Sequence, residues 1–462
     1  MHGDQSRKDT LLSWFARAAR KGNPYAQFNL GLMYKHGAGV PRDEAEAGRW
    51  LRQAALQGLA YAQNHLGAMY YQGRGVRQSD LEAAHWFGLA ARQGEASAQQ
   101  NLGDMARQGR GMARNPELAI HWYYKAAEQG LASAQRRLGE CYLHGEGAAP
   151  SAALALAWLR KAAMLEDGAA EVALGMMYRD GQGVAANQEA ALHWFRRAAG
   201  RGHAPAQRLL GLACLEGRGQ RPDRAAGLAW LRCAAGQGDA EACYRLACLC
   251  VSGADGESDD AAAVGWFERA AQQGHDQAQY RLAGMVAQGR GAAPDPGRAL
   301  HWYRRAAEQG AACAQFTLGL IYASGRGVRR DQAEAAAWYR RAAEQGDASA
   351  QNNLGVMYAT GQGVRQDDVL AVQWYGLAAE QGHALAQYNL GGMYGSGRGV
   401  ARDRVRSYMW MLLAADAGAP AASARKAVLA RRLSAREIDS ANGLRCAWRV
   451  ARAAEGPERR AA

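Results

Sequence analysis

No apolar run in the 462 residues approaches the ~18 needed to cross a bilayer as a helix, so the chain is not expected to span a membrane. Its opening, MHGDQSRKDTLLSWFARAARKG, has neither an apolar centre nor a small-residue cleavage site and is not a recognisable signal peptide. The expected location is therefore the cytoplasm, or the periplasm or exterior if a further segment precedes residue 1. Cysteine is sparse and irregular: Cys141, Cys214, Cys233, Cys243, Cys248, Cys250, Cys313 and Cys446 form no C-x-x-C pair. Without recurrent spacing there is neither a zinc site nor a disulfide ladder, and reduced thiols are expected.

Strong basicity is also missing from the body of the chain. The net charge is +13, but residues 420–462 alone hold ten Arg or Lys against four acids. The remainder is only mildly basic, which argues against a nucleic-acid groove along its length. No cofactor or metal is expected, and the chain is expected to be a monomer.

What the chain does have is one phrase said again and again. AQFNLGLMYKHGAGV at 26–40 returns as AQNHLGAMYYQGRGV at 62–76 and AQNNLGVMYATGQGV at 350–364. Twelve tryptophans, from Trp14 through Trp50, Trp86, Trp122, Trp158, Trp194, Trp230, Trp266, Trp302, Trp338 and Trp374 to Trp410, stand at an unbroken 36-residue interval. Repeats of this length signal a solenoid rather than separate globular domains. Ala26 and Leu30 recur unchanged through Ala386 and Leu390, and Gly37 recurs through Gly397.

These columns predict two helices per repeat. Ala26, Leu30, Met33 and Tyr34 lie on one helical stripe. Gly31 beside it disfavours helix by ~1 kcal/mol, which makes sense where a neighbouring helix comes close. Gly37 suits a left-handed helix end. The second helix is announced by a column of capping residues: Asp43, Ser79, Asn115, Ser151, Asn187, Asp223, Asp259, Asp295, Asp331, Asp367 and Asp403. Their side chains can accept bonds from free backbone N–H groups, and Pro116 and Pro296 follow their caps where proline fits. One such pair cannot bury a core alone, whereas stacked pairs can. The expected fold is all-α: a superhelical α/α solenoid of eleven 36-residue helix-turn-helix repeats at 23–418. An N-terminal segment at 1–22 would hold an unpaired second-type helix, and 419–462 capping helices and a basic tail. The tryptophans, among them Trp50, Trp86, Trp122, Trp266, Trp302, Trp338 and Trp374, are expected to fill the space between alanine-lined helices.

The pattern A-x-x-x-L-G-x-x-Y-x-x-G-x-G-V, an acidic cap, then A-x-x-W-Y-x-x-A-A-x-x-G resembles the Sel-like repeat (SLR) family, relatives of the tetratricopeptide repeats. The resemblance covers about residues 11–418. Residues 407–448 also resemble a C-terminal cap common in bacterial members, with Ser434 and Glu437 at capping-box spacing. The resemblance implies adaptor work between proteins, in signalling, envelope biogenesis or host contact, and no enzymatic chemistry. One departure stands out. The repeat at 239–274 has Asp255 for the loop glycine, and Leu249 and Cys250 in the Met and Tyr columns, making it the expected weak joint.

Apparent catalytic signals reduce to structure. The GQGV and GRGV loops join helices, whereas phosphate loops join a strand to a helix. His85, His121, His193 and His301 share one column at least a helix diameter apart, too far to share a metal. Cys141, Cys214 and Cys250 occupy apolar columns and are expected to be small buried groups. A β-lactam-hydrolysing enzyme of the cysteine-rich SLR kind would carry a cysteine pair in each repeat, which this chain lacks. Association with envelope polysaccharide or peptidoglycan would require export. The remaining expectation is a scaffold holding a protein or peptide partner. On each first helix, positions equivalent to 28, 29, 32 and 36 are expected to point away from the core and line the concave face. Aromatics beside Arg and Asn there are typical of interface hot spots. The expected site is Tyr244, Arg245, Tyr280, Arg281, Phe316, Asn353, Tyr388 and Asn389.

Overall fold

A computed structural model describes residues 13–253 and 258–454. Among them every regular element is a helix. Helix pairs follow one another from Pro24–His36 and Glu44–Leu56 to Ala384–Ser396 and Arg404–Asp416, each helix 13 residues long. The chain divides into two compact units, 1–237 and 238–462. The irregular repeat opens the second unit; its Asp255 lies outside the described residues.

Each second helix begins where the capping column predicts. Asp43 accepts bonds from the backbone N–H groups of Ala45 and Glu46, and all ten equivalents, through Asp403, cap in the same way. Satisfying the free donors at a helix start is worth about 1 kcal/mol per cap. First helices end on glycine in the left-handed region, as at Gly37 with φ 70°.

Within a repeat the core lies one residue beyond the tryptophan. Leu51, Tyr123, Leu159, Phe195 and Phe267 are buried, and the glycine of the facing first helix makes room for the first four, with Ala247 in that column opposite Phe267. A Cβ on Gly67 would fall 2.8 Å from the Phe87 ring, and one on Gly355 2.7 Å from Tyr375. This is the close approach that Gly31 and its equivalents imply. The tryptophans themselves occupy the joint between repeats. Trp86 packs on Ala54 and Ala55 of the previous second helix and on Ala62 and Leu66 of its own first helix. Trp86, Trp302, Trp338 and Trp410 are buried, whereas Trp50, Trp122, Trp266 and Trp374 are half-buried and Trp14 is exposed. A basic side chain one turn on covers several of them, Arg269 lying 4.7 Å from the Trp266 ring.

A buried amide ladder accompanies this apolar core. Gln63 donates to the Ala55 carbonyl at 3.1 Å and accepts from Gln93 at 2.7 Å. The same rung recurs at Gln27–Gln57, Gln99–Gln129, Gln207–Gln237, Gln315–Gln345 and Gln351–Gln381. Each glutamine thus ties its first helix both to the preceding second helix and to the end of its own.

The second unit closes on helices Ala422–Ala430 and Ala435–Ala454. Ser434 and Glu437 form the capping box that their spacing predicts, the Ser434 N–H donating to the Glu437 carboxylate at 2.7 Å. The final helix is held by Trp448 against Trp410, ring centroids 6.2 Å apart, and by Arg449 to Asp416 at 2.7 Å. Arg452 donates to the Glu380 carbonyl at 3.1 Å. Part of the basic C-terminal charge is therefore engaged internally.

Candidate interaction surface on the first helices

Positions 28 and 29 are mostly half-buried rather than fully outward-pointing, because neighbouring side chains partly cover them, while Arg245 and Arg281 are exposed. Tyr244 is only 7 % exposed: it stacks on His275 at 4.6 Å and lies against Phe267 at 5.9 Å. His275 Nδ1 accepts the Ala278 N–H at 3.2 Å, so the neutral ring carries its proton on Nε2, 3.0 Å from Glu241. Arg245 remains exposed and pairs with Glu241 at 2.6 Å. Burial pushes the Glu241 carboxyl up, but bonds from His275 and Arg245 outweigh it and hold the group below its ordinary range.

Farther along, Asn389 donates to Asn352 at 3.0 Å, and Asn101 to Asn64 at the same distance. Here one repeat's position 29 meets the previous repeat's position 28. Asn353 is half-buried beside Asn352. Phe316 is half-buried on Tyr339 at 5.9 Å, and Tyr388 packs on Ala414, Ala419 and Ala422. These residues join repeats as well as offering an edge to solvent.

Tyr280 and Arg281 are brought together at a cavity. Tyr280 is half-buried, 5.6 Å from Tyr303, and Arg281 is exposed next to the Tyr244 phenol. With Gln288, Arg290 and Tyr303 they line a recess of about 230 Å³. A second recess of about 200 Å³ shares Gly284, Gln288 and Tyr303 and continues over Leu300, Ile321 and Val328. Burial first, then the neighbouring Tyr280 and Cys313, pushes the Tyr303 phenol up to about 12, so it stays protonated and can donate a hydrogen bond at neutral pH. Sequence reasoning missed Gly284, Gln288, Arg290 and Tyr303. One signal was available: the repeat reads Leu282-Ala283-Gly284, with glycine displaced by one position from its usual column.

The other sequence candidates are placed as follows. His85, His121, His193 and His301 are exposed, each edge-on to the following tryptophan at 5.2–5.6 Å. Cys141 and Cys214 are buried, and burial pushes the Cys141 thiol up to about 11. Cys250 is a correction: it is half-buried, as are Tyr34, Tyr70, Tyr142, Tyr178 and Tyr394 in the same column. Among the described residues no group of three or more His, Cys, Asp or Glu is arranged to hold a metal, and no helix is long and apolar enough to cross a membrane.

The architecture is that of an all-α tandem-repeat solenoid. The sequence matches the Sel1 repeat in twelve segments, from 12–23 and 24–59 through 240–275 and 276–310 to 348–383 and 384–418, and the chain belongs to that family. Among solved structures it is similar to c5321, a protective antigen of uropathogenic Escherichia coli displaying an SLR fold. That match has 33% identity, covers 95% of this chain and 94% of that one, and gives a TM-score of 0.58. It is also similar to a Sel1 repeat protein from Oxalobacter formigenes: 31% identity, 67% of this chain and 89% of that one, TM-score 0.50. No curated protein sequence matches it.

Proposed function

We propose that the protein is a non-enzymatic scaffold that holds a protein or peptide partner, as a monomer, on the concave face presented by its first helices. The observation that carries this reading is the recess at Tyr280 and Arg281, an aromatic and a cation at one cavity, in the repeat whose glycine is displaced to Gly284. Aromatic and arginine side chains at a partly desolvated pocket are the composition of binding hot spots. Tyr244, Arg245, Phe316, Asn353, Tyr388 and Asn389 extend the surface along neighbouring repeats. The use of Arg449 and Arg452 in docking the last helix favours a protein partner over nucleic acid.

The test compares partners captured from a lysate of the native organism by the wild-type chain and by Tyr280→Ala/Arg281→Ala. Their common partner should bind the double variant at least about tenfold more weakly while the melting curve hardly moves. Undiminished capture by the folded variant would refute the site.

A further inference from the structure

We infer that the twin recess around Gly284 is a two-part site for an extended peptide in which an acidic residue is followed by an aliphatic one. This rests on the scaffold reading above and assigns the chemistry of the occupant. The two cavities share a wall at Gly284, Gln288 and Tyr303, so one short segment can enter both.

Their linings differ in character. The first holds Arg281 and Arg290 with the Tyr280 and Tyr303 rings; the second is walled by Leu300, Ile321 and Val328, with Arg326 at its edge. No Asp or Glu lines either recess. Arg290 is already tied to Asp260 by two bonds at 2.8 and 3.0 Å, but Arg281 and Arg326 pair with no carboxylate among the described residues. Two cations without acidic partners, flanking an apolar trough and a protonated phenol, complement a carboxylate next to an aliphatic side chain. A guanidinium accepts nothing, so Arg281, Arg290 and Arg326 would repel a basic peptide there.

Gly284 supports a binding role. Glycine inside a helix disfavours it by about 1 kcal/mol, which close packing normally explains. Here it does not: a Cβ at 284 would meet only the Tyr303 hydroxyl, at an ordinary 3.5 Å. At the same position the preceding repeat has Cys248 and the following one Leu320. The residue that elsewhere admits the second helix is here Ala283, and the glycine has moved to the solvent side, where its effect is to leave the shared wall open.

Gly284→Leu is thus a variant that closes the site while favouring the helix. Peptides would be selected from a random library displayed on phage against the full chain, and the winners resynthesised for fluorescence polarisation. The inference expects winners combining Asp or Glu with Leu, Ile or Val. Their affinity should fall about tenfold on Gly284→Leu and on Arg281→Glu/Arg326→Glu, and should weaken as salt rises. Winners without acidic residues, acidic winners that bind Gly284→Leu as tightly as wild type, or no enrichment at all would each overturn it. Loss of native-partner capture by Tyr280→Ala/Arg281→Ala alongside such a result would leave the scaffold reading standing and remove only the acidic–aliphatic assignment. Undiminished capture with the expected winners would do the reverse.

Discussion

Gln27 accepts a hydrogen bond from Gln57 at 2.7 Å while donating its own at 3.1 Å to the Ala19 carbonyl of the preceding helix. That rung makes an amide, as much as the tryptophans, a joint of the solenoid. Where the partner position is filled otherwise, the ladder is incomplete. Gln135 and Gln387 have buried Oε1 atoms without partners, and Leu165 and Ala417 stand where a glutamine would reach them. Gln279 Oε1 is also unbonded, although Gln309 occupies the equivalent position.

Gln63→Leu should therefore lower stability by about 1–3 kcal/mol, since it removes two hydrogen bonds, the one to the Ala55 carbonyl and the one from Gln93. Leu165→Gln, which supplies the missing rung to Gln135, should raise it by about 0.5–1 kcal/mol. In one repeat the rung has become ionic: Glu171, fully buried, receives Arg197 at 2.8 Å and Arg201 at 2.5 Å. Glu171→Gln should weaken that joint, and adding Arg201→Gln should recover part of the loss. Urea titrations of the four chains give the coupling directly, and strict additivity would contradict a shared rung.

The core assignment predicts a contrast between adjacent residues. Phe267→Ala removes a fully buried ring and should cost about 3–5 kcal/mol. Trp266→Ala, at a half-buried ring covered by Arg269, should cost less. Because Phe267 sits in the unit formed by 238–462, the first variant should melt in two steps, that unit first. A single cooperative melt would show that the units do not unfold separately.

Much of this architecture was readable from position alone. The tryptophan interval marked the repeat, and the Asp43 capping column and the Gly31 and Gly37 columns are local chemical requirements repeated in register that sit where their chemistry demands. The core residue after each tryptophan was not read, because Leu51, Phe87, Tyr123 and Met411 vary in identity while filling the same space. The glutamine column repeats too, yet an amide does not register in a search for apolar stripes. Burial of Tyr244 depends on His275, 31 residues ahead, and no single-helix pattern contains that contact. Tyr280 and Arg281 were found as residue types; the recess was not, since it depends on what Gly284 and Tyr303 leave open.

Acid should act through His65. Burial, then the charges of Lys35 and His36, pushes this imidazole down to about 4 from an ordinary 6.5. Between those values the unfolded chain binds the proton and the folded chain does not, so stability is full above pH 6.5 and falls as pH drops toward 4. His65→Asn, the residue found at the equivalent Asn101 and Asn389, should flatten that part of the melting-temperature profile. An unchanged acid limb would place the sensitivity elsewhere.

The C-terminal helices should behave as a cap. Deleting 453–462 spares Arg452 and Trp448 and should leave the melting temperature unchanged. Deleting from 419 uncovers the Trp410 ring and the Ala414 surface and should cause aggregation. Equal solubility of the two truncations would contradict a capping role.

The scaffold account is tested most directly by hydrogen–deuterium exchange on the full chain with and without its captured partner. Binding at the first-helix face should slow exchange in Asp276–Gln288 and Ala312–Ser324, and leave Pro24–His36 and Glu44–Leu56 of the other unit unaffected. Protection confined to second helices, or to Ala435–Ala454, would contradict it.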